Sequence, residues 1–232
     1  IEEVGSTGVG ALTVAFLILA ITTIIFLVKA WSSLEQKSYY VCATYITGFG
    51  AMAYFAMLSG QGWTAIAGCR QFFYARYADW FVTFPLLVLL LGIVANADAP
   101  SIGAAIGAIA VYIFSTYMGS VSVVTTVKWF WFFVALVGLA GALVSITRTF
   151  KIAVVSRGPE IESLYGKMAW LLFLVWIAYP LVWLFSEGFA SFSVSFEVCA
   201  YAVLDVLSKV VVSFIALSGH DALSVAAPKE FA

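Results

Sequence analysis

Seven apolar stretches, each about 20 residues long and joined by short polar connections, leave this chain few folds to adopt. They run at 8–30, 38–59, 71–94, 101–119, 127–148, 165–185 and 196–218. A bilayer core needs about 20 apolar residues per helix. Lipid offers backbone groups no partner, so only helices and closed barrels span it. The chain therefore reads as an all-α membrane protein: a single seven-transmembrane-helix bundle over residues 1–232. Only 10% of its residues are charged, against about 25% in soluble domains, which argues against a soluble helical protein. An integral protein of the plasma membrane is expected.

The connections include SSLEQK, SGQGWTAIAGC, ANADAP and SEGFAS, and the longest break is TRTFKIAVVSRGPEIESLYGK. The tail after Ser218 reads as disordered. The first apolar run, Ala11 to Val28, is long enough to span, so it reads as a helix rather than a cleaved signal. Lys29, Lys37, Arg148, Lys151, Arg157, Lys167 and Lys229 fall on one side, and Arg70 and Lys128 lie in loops on the other. Basic residues mark the cytoplasmic side, which puts the N-terminus outside and the C-terminus inside. The net charge of −1 and the lack of a basic stripe argue against nucleic acid. Cys42, Cys69 and Cys199 have no metal-ligand spacing. Cys42 and Cys199 read as small core residues, and Cys69 as a loop thiol.

Two charged pairs lie inside the apolar runs. Asp205 and Lys209 are four residues apart in the seventh, and Arg76 and Asp79 three apart in the third, so each pair shares a helix face. A charge at mid-bilayer costs at least ~2.5 kcal/mol and marks a functional site by default. A buried lysine can lose its charge or form an imine with a carbonyl compound. Asp79 and Asp205 can balance the cation, with Arg76 nearby and Glu187 and Glu197 at the outer ends of the last two spans. Read alone, each pair also has a plainer reading as a structural salt bridge, which weakens when the two occur together with the aromatic residues. Thr83 is placed to hydrogen-bond the Asp79 carboxylate. Leu90, eleven residues past Asp79, returns to the same face, where a proton donor to the inner half would sit. Trp80, Trp176, Tyr179, Trp183, Tyr54 and Phe132 fall mid-span, as packing or as walls for a flat conjugated ligand. Pro85 and Pro180 interrupt helices three and six as kinks or hinges.

RYADWFVTFP (76–85), WIAYPLVW (176–183) and LDVLSK (204–209) resemble the microbial (type I) rhodopsins close to the bacteriorhodopsin-like proton pumps. The resemblance spans all seven helices. It implies all-trans retinal bound covalently to Lys209 as a protonated Schiff base. Asp79 would be primary counterion and proton acceptor, Asp205 the second counterion, Arg76 a mobile cation, and Glu187 and Glu197 the release pair. Tyr54 and Tyr179 would hydrogen-bond Asp205, and Thr83 would stand beside the acceptor. Trp80, Trp176, Pro180, Leu87, Phe132, Tyr112, Thr116 and Ser208 would line the retinal site.

The departures from the pattern are specific. Leu90 replaces the inner proton donor, and Phe84 and Ile109 replace a pair that bridges helices three and four. His220, the single histidine, is in the tail, so none partners Asp79. Ser208, Ala135 and Leu136 suggest a blue-shifted pigment, with Thr116 and Tyr112 opposing. An outward light-driven proton pump with a slow photocycle is one expectation. A sensory rhodopsin, signalling through a partner or a fused domain, is the alternative, and a leaky channel a third. Homo-oligomers are common in such bundles, although no interface signature is visible. No enzyme activity and no metal are expected.

Overall fold

The computed structural model describes residues 1–33 and 37–225. Among them, seven helices are long and apolar enough to cross a membrane: α1 Ser6–Ser32, α2 Lys37–Leu58, α3 Tyr74–Ala95, α4 Ala99–Val121, α5 Thr125–Val155, α6 Pro159–Gly188 and α7 Val194–Ser218. A short α8, His220–Val225, follows. The side chains facing outward on the spans are themselves apolar, with Ile24 and Val28 62% exposed and Phe133 65%. In water such a surface would aggregate; in lipid it is the expected one.

Several expectations are corrected. Helices α5 and α6 continue through the supposed long break and leave only Ser156–Gly158 between them. Arg148 and Lys151 are therefore helical, and polarity there reflects the depth of the helix end rather than a loop. Gly158, at φ 96°, makes the reversal, a conformation that glycine adopts without strain. Lys128 lies in the first turn of α5, not in a loop. The α2–α3 connection is a two-stranded antiparallel hairpin, β1 Thr64–Ile66 with β2 Arg70–Phe72, which takes residues expected to begin span three. The tail is helical over His220–Val225. Residues 34–36 of the first connection, and Lys229, lie outside the described residues. Neither proline breaks its helix: α3 continues past Pro85 and α6 past Pro180. Pro85 costs α3 a backbone bond, but neighbouring helices support it. Cys199 is half-buried rather than core, and Cys42 is buried.

Membrane helices gain little by hiding apolar surface from lipid, so close packing and hydrogen bonds join them. At Gly138, α5 meets α4 so tightly that a Cβ would lie 2.8 Å from the Ala108 carbonyl oxygen and from the Tyr112 nitrogen. Helix α3 lies inside the bundle, flanked by α2 and α4 in sequence and packed on α6. Its C-terminus is tied: Arg157 Nη1 donates to the Val94 carbonyl at 2.8 Å, and Asn96 ends the helix in the left-handed conformation. Asp98 caps α4 by accepting from the Ser101 amide at 3.2 Å and its hydroxyl at 2.6 Å. These bonds stabilise the charged carboxylate, hydroxyl first, and hold it below the usual carboxylate range.

Candidate functional site

Lys209 lies in a π-helical turn of α7, Val206–Val211. Such turns insert an extra residue into the helical count and occur frequently at functional sites. The Lys209 side chain is fully buried. Its stem runs against α2 at Gly50, where a Cβ would stand 3.3 Å from Lys209 Cδ. The Nζ atom pairs with Asp79 Oδ2 of α3 and, at 3.1 Å, with Asp205 Oδ1 of its own helix. One cation thus faces two carboxylates, all buried.

The carboxylates have unlike surroundings. Asp205 accepts from Tyr54 Oη at 2.7 Å, Tyr179 Oη at 2.7 Å and Trp80 Nε1 at 3.0 Å. The hydroxyls of Tyr179 and Ser208 lie 3.1 Å apart. Asp79 has no donor besides Lys209, and its Oδ1 is buried without a partner. The Thr83 hydroxyl stands near the Asp79 carboxylate, but its close hydrogen bond, at 2.9 Å, goes to the Asp79 backbone carbonyl. One turn of helix brings the threonine back onto its own ladder, a common competitor for side-chain bonds.

Nor does Arg76 pair with Asp79. Its guanidinium reaches outward to Glu197 Oε1 of α7 at 2.6 Å and lies 4.3 Å from the Tyr201 ring centroid. Arg70 holds the other oxygen of Glu197 at 2.7 Å, and reaches Glu2 at 3.2 Å and the Phe192 carbonyl at 2.7 Å. Glu187, near the end of α6, makes no direct hydrogen bond to Glu197 among the described residues. It accepts from Tyr77 Oη at 3.1 Å, its Oε2 has no partner, and Lys128 Nζ donates to its backbone carbonyl at 2.7 Å. Arg70, Tyr77 and Ser120, which lies 3.0 Å from the Tyr77 hydroxyl, were not expected here. Arg70 becomes a site residue only because the hairpin folds back over α7, and no local pattern announces that.

Aromatic side chains form a wall beside Asp205, where Trp80 and Tyr179 donate to its carboxylate. Trp80, Phe84 and Trp176 stack in sequence, with centroids 5.7 and 5.5 Å apart. Tyr179 meets Trp80 and Phe84 edge-on at 5.0 and 5.1 Å. Phe84 thus belongs to the wall. Leu87, Tyr112, Thr116 and Pro180 are also buried. Phe132 is half-buried and stacks on Trp183 at 4.8 Å. Ala135 is buried, but Leu136 is 39% exposed and faces outward, so it cannot tune a ligand in the core. Inward of the amine, Leu90 is fully buried in an apolar cluster. No group of His, Cys, Asp or Glu among the described residues is placed to hold a metal.

A fully buried amine beside two carboxylates, one of them with an unpaired oxygen, and flat aromatic side chains close by are compatible with a planar conjugated ligand at the amine.

Comparison with known proteins assigns the chain to a family. Residues 7–223 match the family described as bacteriorhodopsin-like protein. Archaerhodopsin-1 of Halorubrum ezzemoulense is 32% identical over 212 residues, 89% of this chain and 82% of that one. Sensory rhodopsin-2 of Natronomonas pharaonis is 31% identical, over 81% of this chain and 80% of its own. The crystal structure of the light-driven proton pump Coccomyxa subellipsoidea rhodopsin superposes with a TM-score of 0.91 at 27% identity, covering 94% of this chain and 99% of that one.

Proposed function

The chain belongs to the bacteriorhodopsin-like family, the type I rhodopsins, and from that premise we propose that it is a light-driven outward proton transporter. Lys209 would hold retinal covalently, with Trp80, Phe84, Trp176, Tyr179 and Leu87 around it. Bound there, retinal supplies light absorption and a light-induced change of shape next to Nζ. The residues do the rest.

The observation that carries the reading is the asymmetry between the two carboxylates. Asp205 accepts three hydrogen bonds besides its lysine contact, and Asp79 none. A hydrogen bond to a charged group contributes about 1.5–3 kcal/mol, so Asp205 is the better-held anion. A proton leaving Lys209 Nζ therefore goes to Asp79, whose Oδ2 it already touches. Asp205 stays charged and keeps the site anionic while Nζ is neutral.

Further out, Glu197 is fixed as an anion by two arginines, whereas Glu187 has one hydrogen bond and one bare buried oxygen. Burying an unpaired charge is costly, so Glu187 carries the proton to be released. Neutralising Asp79 removes a negative charge from the inner side of Arg76 and strengthens the net positive field at the outer pair. The basic residues at one end of the bundle favour the topology with the N-terminus outside, in the plasma membrane.

A sensory role is the second reading, favoured by the buried, apolar Leu90. It makes the return of the proton to Nζ slow, and a long-lived state suits signalling to a partner. Light-induced pH change in cells or vesicles separates the two. Sustained outside acidification, abolished by a protonophore, is the transporter's result; a single transient without steady transport is the sensor's.

A further inference from the structure

Between Lys209 and the basic end, the α3 side of the bundle is apolar, whereas the α1–α2–α7 side carries hydroxyls alongside a small apolar cluster of Phe26, Ala30, Ala43 and Leu217. On α3, Leu87, Val88, Leu90, Leu91, Val94 and Ala95 are all fully buried. Hydroxyls lie along α1, α2 and α7, while on the α5–α6 side the buried Tyr165 phenol is committed to the Ile146 carbonyl. Tyr40, Thr44 and Thr47 fall at i, i+4 and i+7 on one face of α2. Thr47 is fully buried and lies 3.0 Å from Thr23 Oγ1 of α1. Ser213, four residues past Lys209, is fully buried, and its Oγ has no partner.

Gly50 fixes the register, because it is where α2 touches the Lys209 stem. Thr47 is one turn before Gly50 and Ser213 one turn after Lys209. On antiparallel helices both lie about 5 Å inward of that contact. At the basic end, Tyr40 Oη is 3.4 Å from His220 Nδ1, and both line a cleft of about 440 Å³ with Lys29, Ser32, Ser33 and Leu217. A water occupies about 30 Å³, so the cleft holds several. Thr44 and Thr47 already donate to backbone carbonyls, so they cannot pass a proton directly. They and the unpaired Ser213 hydroxyl line a path that entering water completes, each hydroxyl accepting as well as donating. A buried hydroxyl without a partner is unfavourable, and a water beside Ser213 would relieve it.

We propose that the proton returning to Lys209 Nζ enters along this α1–α2–α7 seam, from the Tyr40–His220 cleft past Thr44, Thr47 and Ser213, and not along α3 past Leu90. The inference rests on the proton-transport reading above. Bulk water supplies the proton at the cleft, and Nζ gains it.

Two measurements test it. In the pigmented protein, the Thr47→Val and Ser213→Ala double variant slows the return of the proton to Nζ after a flash by about tenfold or more, the scale of a lost proton-relay group. Loss of the proton and the dark absorption stay unchanged, and millimolar azide, a small diffusible proton carrier, restores the rate. An unchanged return, or a slowing that azide leaves in place, overturns the route. The second needs no light. Ser213 and Leu90 are both fully buried, and each stands five residues before the end of its helix. With Cys42, Cys69 and Cys199 replaced by alanine, Ser213→Cys reacts with a charged methanethiosulfonate at least about tenfold faster than Leu90→Cys, because only one is on a water path. Equal labelling overturns the route. A parent protein whose Nζ never loses its proton in light contradicts the transport reading instead, and the labelling still judges the path.

Discussion

The Arg76 guanidinium rests 2.6 Å from Glu197, on another helix, although Asp79 stands only three residues away on its own. The cation that could have joined the inner carboxylates is turned outward, and Arg70 grips the same glutamate from the hairpin. The core is thereby divided into an inner set, Lys209 with Asp79 and Asp205, and an outer set around Glu197 and Glu187.

Removing Arg70 weakens the positive field that lets the outer site lose a proton. Arg70→Gln should slow light-induced proton release by roughly tenfold, one pKa unit's worth of electrostatic support, while the loss of the proton from Nζ keeps its rate. Arg70→Lys keeps the charge but not the fork geometry and should fall between. A pH-indicating dye read together with flash absorption measures both. Identical release in all three proteins would remove Arg70 from the outer set.

Tyr179→Phe and Tyr54→Phe each take one donor from Asp205. Each should cost about 1.5–3 kcal/mol, the worth of a hydrogen bond to a charged group, and shift the absorption maximum. The double variant should not equal the sum, because both act on one carboxylate. Thermal bleaching midpoints and absorption spectra of the four proteins give the comparison.

Gly138→Ala places a methyl against the α4 backbone, which cannot move aside as a side chain would. Overpacking of this kind typically costs about 1–3 kcal/mol. A lower bleaching temperature with an intact resting spectrum is expected, since α4 and α5 separate without touching the ion pairs.

The Asp98 cap carries a pH signature. Its carboxylate is held below the usual range by the Ser101 hydroxyl and amide. The stability it contributes is complete above the unfolded carboxylate range and is lost as pH falls through the lower folded value. Asp98→Ala should therefore melt below the parent at neutral pH, and the gap should close in strong acid. A gap that persists unchanged in acid would show that the charged cap is not its source.

The seven spans were legible because hydropathy reports burial in lipid directly, and Lys209, Asp79 and Asp205 because ionisable residues are so costly there. The ends of α5 and α6 were not, since Arg148, Lys151 and Glu162 are polar yet helical at the membrane edge. Thr83 was placed on the right face, but its hydroxyl chose the backbone over the carboxylate. Arg70 and Phe84 were visible only as a loop charge and a departure from a pattern. Their contacts depend on a hairpin fold-back and on stacking across α3 and α6, which no local spacing encodes.

The account stands on the bond between Lys209 and its chromophore. All-trans retinal added to membranes containing the protein, followed by borohydride reduction, proteolysis and mass spectrometry, reads that bond residue by residue. A retinyl group on the peptide that carries Lys209, absent in Lys209→Ala, is the predicted result. An unmodified Lys209 peptide from a protein that has nonetheless turned coloured would contradict it.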